Sequence, residues 1–211
     1  MLLENYYYWH VNSLPVTYID DIFKLAKEEK YVEAIIGQRQ IKNYKLKTQK
    51  KEKRDTTVKW LSEQWVYEGI NGIVQAANEK AGWNYDWDYS EAVQFTKYTK
   101  GKYYGWHCDS IQNPPVYHKP GHPAHGKMRK MSSIVSLNDA SEYEGGELEF
   151  DFRNKDPDRN KGSASHITEC KELQKKGTVI TFPSYVWHRV KPVTKGVRYS
   201  LVFWHLGYPF K

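Results

Sequence analysis

Residues 177–206 read GTVITFPSYVWHRVKPVTKGVRYSLVFWHL, and this stretch decides the fold class. Runs rich in β-branched and aromatic residues occur at 177–182, 186–191 and 197–206, and segments that contain proline or glycine separate them. β-Branched and aromatic side chains favour strands, whereas proline and glycine interrupt them. Short strands at this spacing are typical of an antiparallel sandwich or barrel, and they argue against a fold that alternates parallel strands with helices.

The strand pattern extends upstream to residue 91. Four further runs of the same kind lie at 91–98, 102–107, 129–137 and 146–152. Two long intervals interrupt them: residues 110–128 carry four prolines, and residues 153–168 are polar and charged. Long intervals of this kind inside one domain are usually functional lids or disordered segments. We therefore predict a β-core over residues 91–211 that carries two long loops.

The N-terminal part has helical spacing instead. Apolar residues predict one helix over residues 20–36, with Asp20 as its N-cap, and a second helix over residues 62–81. The segment 38–58 between them has no clean apolar period and is predicted to be loop or edge strand. We expect residues 1–90 to form a helical support region that packs on the β-core within one integrated domain. The predicted fold class is therefore α+β with a mainly β core.

The composition excludes several classes of protein. With 39% hydrophobic and 15% aromatic residues among 211, the chain can fill a core and does not have the composition of a disordered protein. No run approaches the roughly 18 consecutive apolar residues of a membrane helix, and the N-terminus does not have the pattern of a secretory signal. Two cysteines, Cys108 and Cys170, are too few for a disulfide scaffold or a four-cysteine zinc site. We therefore expect reduced thiols in a cytoplasmic, intracellular protein with no membrane partner.

The net charge of +7 permits an anionic partner. Seven basic residues lie between Lys42 and Arg54, where Glu52 is the only acid. Such a run is either a solvated polar loop or a docking strip for an anionic partner. Charge alone does not distinguish these two interpretations.

The segment Trp106–Asp109 contains the first chemically distinctive group, and it follows a predicted strand. In an extended chain, residues i and i+2 project from the same face, so His107 and Asp109 can aim at one point. His188 lies on another predicted strand and is the third candidate ligand. Two imidazoles and one carboxylate form the facial triad of non-haem Fe(II) oxygenases, which leaves positions open on the metal. A structural zinc site, by contrast, closes with four protein ligands.

Arg198 strengthens this hypothesis. It lies ten residues after His188 on a predicted strand whose alternate positions are apolar, so we expect its guanidinium to be buried. A buried arginine is costly unless it pairs with an anion, and its planar donors match a carboxylate. A tight turn at Gly196 would place His188 and Arg198 on adjacent antiparallel strands that face one cavity. The alternative is an internal salt bridge to Glu147 or Glu149.

These residues belong to a longer pattern that resembles the Fe(II)- and 2-oxoglutarate-dependent dioxygenases of the prolyl-4-hydroxylase-like group, including small bacterial and phage-borne members. The resemblance covers roughly residues 93–206. The matching positions are, in order, Tyr98, Gly101, Tyr104, His107, Asp109, Arg129, Ser132, Ser136, Leu137, Asn138, Glu144–Leu148, His188 and Arg198. The resemblance implies a double-stranded β-helix (jelly-roll) core with helices packed on its major sheet. It also implies Fe(II) as cofactor and 2-oxoglutarate and dioxygen as cosubstrates, with ascorbate as a further candidate.

The same resemblance implies roles for individual residues. The implied iron ligands are His107, Asp109 and His188. Arg198 would clamp the far carboxylate of 2-oxoglutarate, and Tyr98 would form a hydrogen bond with this cosubstrate. Tyr104 would line the pocket, and Ser132, where many members have threonine, is a further candidate cosubstrate contact. Ser136 stands where some members have a cosubstrate-binding tyrosine, but its side chain is too short to reach as far.

The resemblance favours a proline in a protein or peptide, hydroxylated at ring carbon 4, as the substrate. A proline-containing peptide could lie in a groove under the loop 110–128. Within this loop His118, His122 and His125 are either a second metal site or, as we favour, part of a mobile polar lid.

Two other functions stay open at this point. The positive charge and the segment RYSLVF at 198–203 also suggest a nucleic-acid demethylase of the alkylation-repair type. Those enzymes place a further arginine where this chain has Trp204, so nucleic acid is the less favoured partner. A non-catalytic jelly-roll binding module is the third possibility, although such a module has no need for two histidines, an aspartate and a buried arginine together.

Overall fold

The computed structural model describes residues 5–34, 54–110, 120–160, 162 and 164–210. In chain order, the helices and strands of these residues are β1 (Tyr8–His10), α1 (Val16–Glu28), β2 (Val32–Glu33), β3 (Arg54–Asp55), β4 (Thr57–Leu61), α2 (Gln64–Lys80), β5 (Tyr89–Ser90), β6 (Val93–Tyr98), β7 (Tyr103–His107), β8 (Met128–Ser136), β9 (Tyr143–Gly145), β10 (Leu148–Asp151), β11 (Ile167–Glu169), β12 (Val179–Pro183), β13 (Trp187–Val190), β14 (Val193–Gly196) and β15 (Arg198–Gly207). Short 3₁₀ turns lie at Ala140–Glu142, Ala164–His166 and Lys171–Gln174. Neither α-helix in this part of the chain has the length and apolar character that crossing a membrane requires.

Two antiparallel sheets form the framework of the fold. Within the described residues, the larger sheet has the strand order β1-β12-β8-β15-β6-β4-β2, with β5 also paired to β15. The smaller sheet has the order β11-β10-β13-β7-β3, and β9 pairs with β14 in a separate two-stranded sheet. Neighbouring strands are mostly distant in the sequence, so the chain passes repeatedly from one sheet to the other. This connectivity is that of a jelly roll.

The core lies in two layers, one on each side of the larger sheet. Because successive residues of a strand face opposite sides, Ile134 of β8 packs toward the smaller sheet and Val135 packs toward the helices. The layer between the sheets also contains Tyr98, Leu148, Phe150, Ile180, Phe182 and Val190. The layer under the helices also contains Ile19, Ile22, Val66, Ile70, Val74, Phe95, Leu201 and Phe203. The helices therefore cover the outer face of the larger sheet and leave its inner face for a site.

Helix α1 differs from the predicted helix at both ends. It begins at Val16, directly after Pro15, and the predicted N-cap Asp20 lies inside it. Pro15 is the N-cap, with an extended backbone (ψ 149°), and because proline has no N–H it adds no unpaired donor at the start of the helix. The buried residues of α1 are Ile19, Ile22 and Ala26. Beyond Ala26 the next positions on that face are charged, so the helix ends at Glu28, and the prediction of a helix over 20–36 was wrong in its extent.

The other predicted elements agree more closely with the structure. Helix α2 and the seven predicted strands are confirmed to within two residues at each end. The N-terminal part also contributes β1–β5, of which the sequence suggested only an edge strand within 38–58. Four of these five strands have two or three residues, too few to show a period of two. Of the segment 38–58, the part before Arg54 lies outside the described residues.

Candidate active site

The three predicted metal ligands meet at the end of strand β7 of the smaller sheet. His107 is the last residue of β7 and pairs in register with His188 on the adjacent β13, so the two ring centroids are 4.1 Å apart. Asp109 lies two residues beyond, and its backbone N–H donates to the carbonyl oxygen of Ser184 at 2.8 Å. One donor atom from each of the three side chains lies within 4.8 Å of the others. These three residues could therefore hold one metal ion.

Hydrogen bonds to the backbone fix the orientation of both imidazoles. Nδ1 of His107 lies 2.8 Å from the carbonyl oxygen of Gly105, and Nδ1 of His188 lies 2.9 Å from that of Val186. A carbonyl can only accept, so each Nδ1 carries a proton, and Nε2 is the nitrogen whose lone pair is free when the ring is neutral. The two Nε2 atoms lie 3.8 and 3.6 Å from oxygens of Asp109. Both rings thus direct Nε2, the nitrogen that can coordinate a metal, to the same point as the carboxylate.

The charge states of the cluster also suit a metal. Burial lowers the pKa of His107 well below its usual range, and His188 lowers it further. Burial alone would raise the pKa of Asp109, but the two imidazoles, the Arg129 guanidinium and the Ser132 hydroxyl lower it to about 2. At neutral pH the cluster therefore offers a neutral His107 and an ionised Asp109. These are the states in which such groups coordinate metals.

A layer of polar residues lies behind Asp109. The Ser132 hydroxyl donates to Asp109 Oδ2 at 2.7 Å, and Ser184 Oγ lies 2.9 Å from Ser132 Oγ. Nη1 of Arg129 lies 3.9 Å from Asp109 Oδ1, too far for a hydrogen bond. Ser132, expected to contact the cosubstrate, thus directs its hydroxyl at the carboxylate. Ser184 was not singled out in the sequence, because a serine after a proline indicates only a turn.

A cavity opens beside the three donor atoms. Its lining residues are Gln94, Tyr98, Tyr104, His107, Asp109, Ile134, His188, Val190, Arg198, Ser200, Val202 and Trp204. It lies between the two sheets, and its walls combine the candidate ligands with apolar and aromatic side chains. The cavity is lined both by the H-x-D segment, through His107 and Asp109, and by Arg198, which lies about ninety residues later in the chain.

Arg198 is buried in this cavity, and the described part of the chain provides no counter-charge for it. It is the first residue of β15 and is only 2% exposed. Its guanidinium forms a 3.4 Å hydrogen bond to Ser200 Oγ, and it forms no salt bridge with a carboxylate of the described residues. The alternative partners have other cations: Glu147 pairs with Lys191, and Glu149 with Arg189. A buried unpaired guanidinium is unfavourable, so the cavity is suited to a ligand that brings an anion.

The two predicted tyrosines lie on either side of this cavity. Tyr98 is the register partner of Arg198, whose Cζ atom is 5.4 Å from its ring centroid, and burial raises the pKa of Tyr98. Its phenol therefore stays neutral and can donate a hydrogen bond. Tyr104 stacks on His107 with centroids 3.5 Å apart and planes inclined by 11°. This stacking restricts the rotation of the imidazole.

An aromatic wall leads from the cavity to the surface. Trp204 lines the cavity, and within the described part of the chain its buried indole N–H has no hydrogen-bond partner. The Arg129 guanidinium lies over the Trp204 ring at 4.0 Å and donates through two nitrogens to the carboxylate of Glu91. Beyond Trp204, at a centroid distance of 6.1 Å, lies Trp60, which is 46% exposed. The wall therefore combines the exposed ring of Trp60 with the buried Trp204, whose indole N–H is unpaired among the described residues and whose ring lies under a guanidinium paired with Glu91.

Arg54 is a neighbour of the site that the sequence motifs do not indicate. It pairs with Tyr104 across β3 and β7, and its Cζ atom lies 4.3 Å from the Tyr104 ring centroid. It is 7% exposed, and its Nε and Nη2 atoms have no hydrogen-bond partner among the described residues. Because Arg54 is buried, neither interpretation of the basic run, a solvated polar loop or a surface docking strip, applies to this residue. The rest of that run, from Lys42, lies outside the described residues, so its role stays a prediction.

The C-terminal part of the loop 110–128 contacts the wall of the cavity. Ala124 is buried and packs with Trp204 and Leu206, and Lys127 forms a 2.8 Å salt bridge with Asp88. His118 lies outside the described residues, so the alternative of a second metal site formed with His122 and His125 stays a prediction. In the part of the chain that is described, a group of three donors that could hold a metal occurs once, at the site above.

Comparison with known proteins agrees with this geometry. Residues 93–206 match the sequence profile of the 2OG-Fe(II) oxygenase superfamily. A PKHD-type hydroxylase of Xylella fastidiosa (strain 9a5c) is 33% identical over 112 residues, which cover 53% of this chain and 42% of that protein. A PKHD-type hydroxylase of Synechococcus sp. (strain CC9902) is 36% identical over 109 residues, 51% of this chain and 38% of that protein. The chain thus spans about two fifths of the length of these curated relatives.

Solved structures share the whole fold. The viral collagen prolyl hydroxylase of Paramecium bursaria Chlorella virus-1, solved as a 2OG complex, superposes with a TM-score of 0.64 at 20% identity and covers 97% of each chain. A prolyl hydroxylase of Trichoplax adhaerens, solved with a hypoxia inducible factor peptide fragment, gives a TM-score of 0.64 at 16% identity over 96% of this chain and 84% of that one. At these identities the likeness concerns the fold, and it confirms the predicted double-stranded β-helix. The profile match over more than half of its length establishes that the chain belongs to the 2OG-Fe(II) oxygenase superfamily.

Proposed function

We propose that this protein is an Fe(II)- and 2-oxoglutarate-dependent oxygenase that hydroxylates a proline of a protein or peptide at ring carbon 4. The observation that carries the proposal is the buried guanidinium of Arg198, which has no carboxylate partner among the described residues and opens into the same cavity as the ligand atoms of His107, Asp109 and His188. The pairing of an open three-donor cluster with an unpaired cation fits a cosubstrate that has a carboxylate at each end.

The residues of the cavity divide the tasks between them. His107, Asp109 and His188 would hold Fe(II) on one side and leave positions for ligands. When bound, the iron with 2-oxoglutarate and dioxygen supplies the oxidant, and ascorbate would be an accessory reductant. Arg198 would pair with the far carboxylate of 2-oxoglutarate, and the neutral phenol of Tyr98 would donate to it. Tyr104 would hold the plane of the His107 ring.

The aromatic wall supports a peptide as substrate. A proline ring is apolar and flat-sided, so the indole faces of Trp204 and Trp60 offer it a suitable surface. The Arg129 guanidinium and the indole N–H of Trp204 are donors, and peptide carbonyls are acceptors. One structural neighbour holds a peptide fragment, which supports the same class of substrate. Loop 110–128 would close over such a peptide as a lid.

The domain assignment is part of this proposal. The two helices of the N-terminal part pack on the outer face of the larger sheet, and its strand β3 places Arg54 against Tyr104. We propose that residues 1–90 support the catalytic core of 91–211 and that the two parts form one integrated domain.

The proposal is tested by turnover with defined substrates. Purified protein with Fe(II) and 2-oxoglutarate would be given proline-containing peptides or methylated oligonucleotides, and succinate release and the mass of the product would be measured. We expect succinate release that peptides stimulate, with one oxygen atom added to a proline. Stimulation by methylated oligonucleotides alone would replace the hydroxylase by a demethylase.

Matched variants separate catalysis from binding. His107→Ala removes a proposed ligand, and we expect it to abolish both metal binding and succinate release. Cys108→Ala changes the next residue, which supplies none of the three donor atoms, and should retain both properties. If wild-type protein binds the peptides but releases no succinate with any metal or cosubstrate, the non-catalytic binding module is correct.

A further inference from the structure

We propose that Ser184 and Ser132 form a directed hydrogen-bond relay that positions Asp109 for metal binding, with Ser184 as a positioning residue that acts through Ser132. This inference rests on the proposed metal site and concerns residues that line neither the cavity nor the donor cluster. Both serines are fully buried, at 0% exposure. Their hydroxyls therefore exchange no hydrogen bonds with bulk water.

The direction of the relay follows from counting protons. As a metal ligand the carboxylate of Asp109 is deprotonated, so it can only accept a hydrogen bond. The 2.7 Å contact of Ser132 Oγ with Asp109 Oδ2 must therefore use the single proton of Ser132. Ser132 has no proton left for the 2.9 Å contact with Ser184, so the Ser184 hydroxyl donates to Ser132. The chain of donors runs from Ser184 through Ser132 to Asp109.

The relay makes the two oxygens of Asp109 unequal. Oδ2 accepts the hydrogen bond from Ser132, whereas Oδ1 accepts no hydrogen bond from the described residues. Oδ1 is therefore the oxygen whose lone pairs are free for a metal. A carboxylate that is held by one oxygen coordinates through the other, and this preserves the open positions that a facial triad needs.

The backbone of Ser184 adds a second link. Its carbonyl oxygen accepts from the N–H of Asp109 at 2.8 Å and from the N–H of Ser110 at 2.9 Å. The N–H of Ser184 in turn donates to the carbonyl oxygen of Lys130, two residues before Ser132. Two residues further along the chain, Val186 holds Nδ1 of His188. One turn, 184–186, therefore contacts two of the three proposed ligands, and a defect in it would affect both.

Strand β8 supplies a matched control for the relay. Ser133 follows Ser132, is equally buried, and has hydrogen bonds to Thr181 and His205 on the opposite face of the sheet. Replacing either serine by alanine removes one buried hydroxyl from the same strand. Only Ser132→Ala removes a hydrogen bond from a proposed ligand.

The test is titration of the metal-free protein with Mn²⁺, a divalent stand-in for Fe(II), followed by the electron paramagnetic resonance signal of the free ion. We expect Ser132→Ala to weaken Mn²⁺ affinity by ~10–100-fold, the usual cost of losing an outer-shell partner. Ser184→Ala should weaken Mn²⁺ affinity less than Ser132→Ala does, and Ser133→Ala should leave the affinity unchanged. Ser132→Thr keeps the hydroxyl and should bind Mn²⁺ with the affinity of wild type. Because Ser184 acts through Ser132, the double variant Ser132→Ala/Ser184→Ala should bind Mn²⁺ as Ser132→Ala does.

Several results would overturn the relay. Equal affinities of Ser132→Ala and wild type, or equal losses in Ser132→Ala and Ser133→Ala, would mean that the hydroxyl has no specific effect on Asp109. Additive losses in the double variant would mean that Ser184 acts independently. Failure of wild-type protein to bind Mn²⁺ would refute the metal site and the relay with it, which distinguishes that failure from failure of the relay alone. Thermal unfolding of each metal-free variant identifies misfolding, and Ser132→Thr keeps the test decisive if Ser132→Ala does not fold.

Discussion

The two faces of strand β8 carry two polar clusters that use their histidines differently. On the inner face, Ser132 contacts Asp109 beside the two candidate ligand histidines. On the outer face, Ser133 contacts Thr181 at 3.0 Å and the buried His205 at 3.2 Å. Both clusters combine a fully buried serine with a buried histidine, His188 at 3% and His205 at 0% exposure, so the presence of these two residue types does not distinguish them.

The state of the second imidazole nitrogen distinguishes the clusters. In His107 and His188 one nitrogen contacts a backbone carbonyl and the other has no hydrogen-bond partner among the described residues. In His205 both nitrogens are in hydrogen bonds, Nδ1 with Ser90 and Nε2 with Ser133. A histidine that is ready to bind a metal keeps one lone pair free, whereas a histidine of the core uses both nitrogens.

The largest expected effect is on metal binding by variants of the two kinds of histidine. His188→Gln removes a free nitrogen of the donor cluster, and His205→Gln replaces a fully bonded ring. We expect the first to weaken Mn²⁺ affinity by more than the ~10–100-fold cost of an outer-shell change, and the second to leave it unchanged. Titration of both purified variants with Mn²⁺ measures this. Comparable losses in the two variants would mean that metal affinity reports overall stability and not a free nitrogen.

The same comparison applies to arginines. Arg198 has no carboxylate partner among the described residues, whereas Arg189 forms a 2.6 Å salt bridge with Glu149. We expect Arg198→Met to raise the melting temperature of the free protein, because it removes a buried unpaired charge. It should also weaken 2-oxoglutarate binding by about 10–150-fold, which corresponds to the roughly 1.5–3 kcal/mol of a hydrogen bond to a charged group. Differential scanning calorimetry and isothermal titration with 2-oxoglutarate measure the two effects.

Arg189→Met is the control for this substitution, and its stability effect should have the opposite sign. Removing the Arg189 guanidinium leaves the largely buried Glu149 without its nearest cation. The melting temperature should therefore fall, while the affinity for 2-oxoglutarate stays the same. A fall in melting temperature for Arg198→Met would instead indicate that Arg198 has a stabilising partner in the free protein.

The site residues that the sequence predicts are those whose positions follow from the two-residue period of a single strand. His107 and Asp109 are separated by one residue on a strand, and Arg198 lies among alternating apolar residues, so a period of two is enough to place them. His188 is far from His107 in the chain, but the two strands are both predictable and the resemblance places them together. The strands themselves follow from the same period, which explains why their bounds agree with the structure.

The parts that could not be predicted depend on contacts between distant segments. Ser184, Arg54 and Trp60 come to the site through strand order, which a single sequence does not reveal. The short strands β1, β2, β3 and β5 have no period of their own and form because longer strands offer them an edge. The tautomers of the two ligand histidines likewise depend on carbonyl oxygens whose positions only the folded backbone fixes.

The smallest expected effect is the pH dependence of stability caused by His205. Burial lowers the pKa of His205 from its usual value near 6.5 to about 3. Between these values the unfolded chain binds a proton that the folded chain does not, so the free energy of unfolding falls as the pH is lowered through 6.5. One group contributes up to ~1.4 kcal/mol per pH unit in this range, or about 2 kcal/mol between pH 6.5 and pH 5.

Urea unfolding of the metal-free wild-type protein and of His205→Gln at pH 7 and pH 5 measures this effect. The wild type should lose more stability between the two pH values than His205→Gln, because the glutamine has no proton to bind. Equal losses would mean that folded His205 accepts a proton, and hence that one of its nitrogens is free, which would remove the difference between the two clusters.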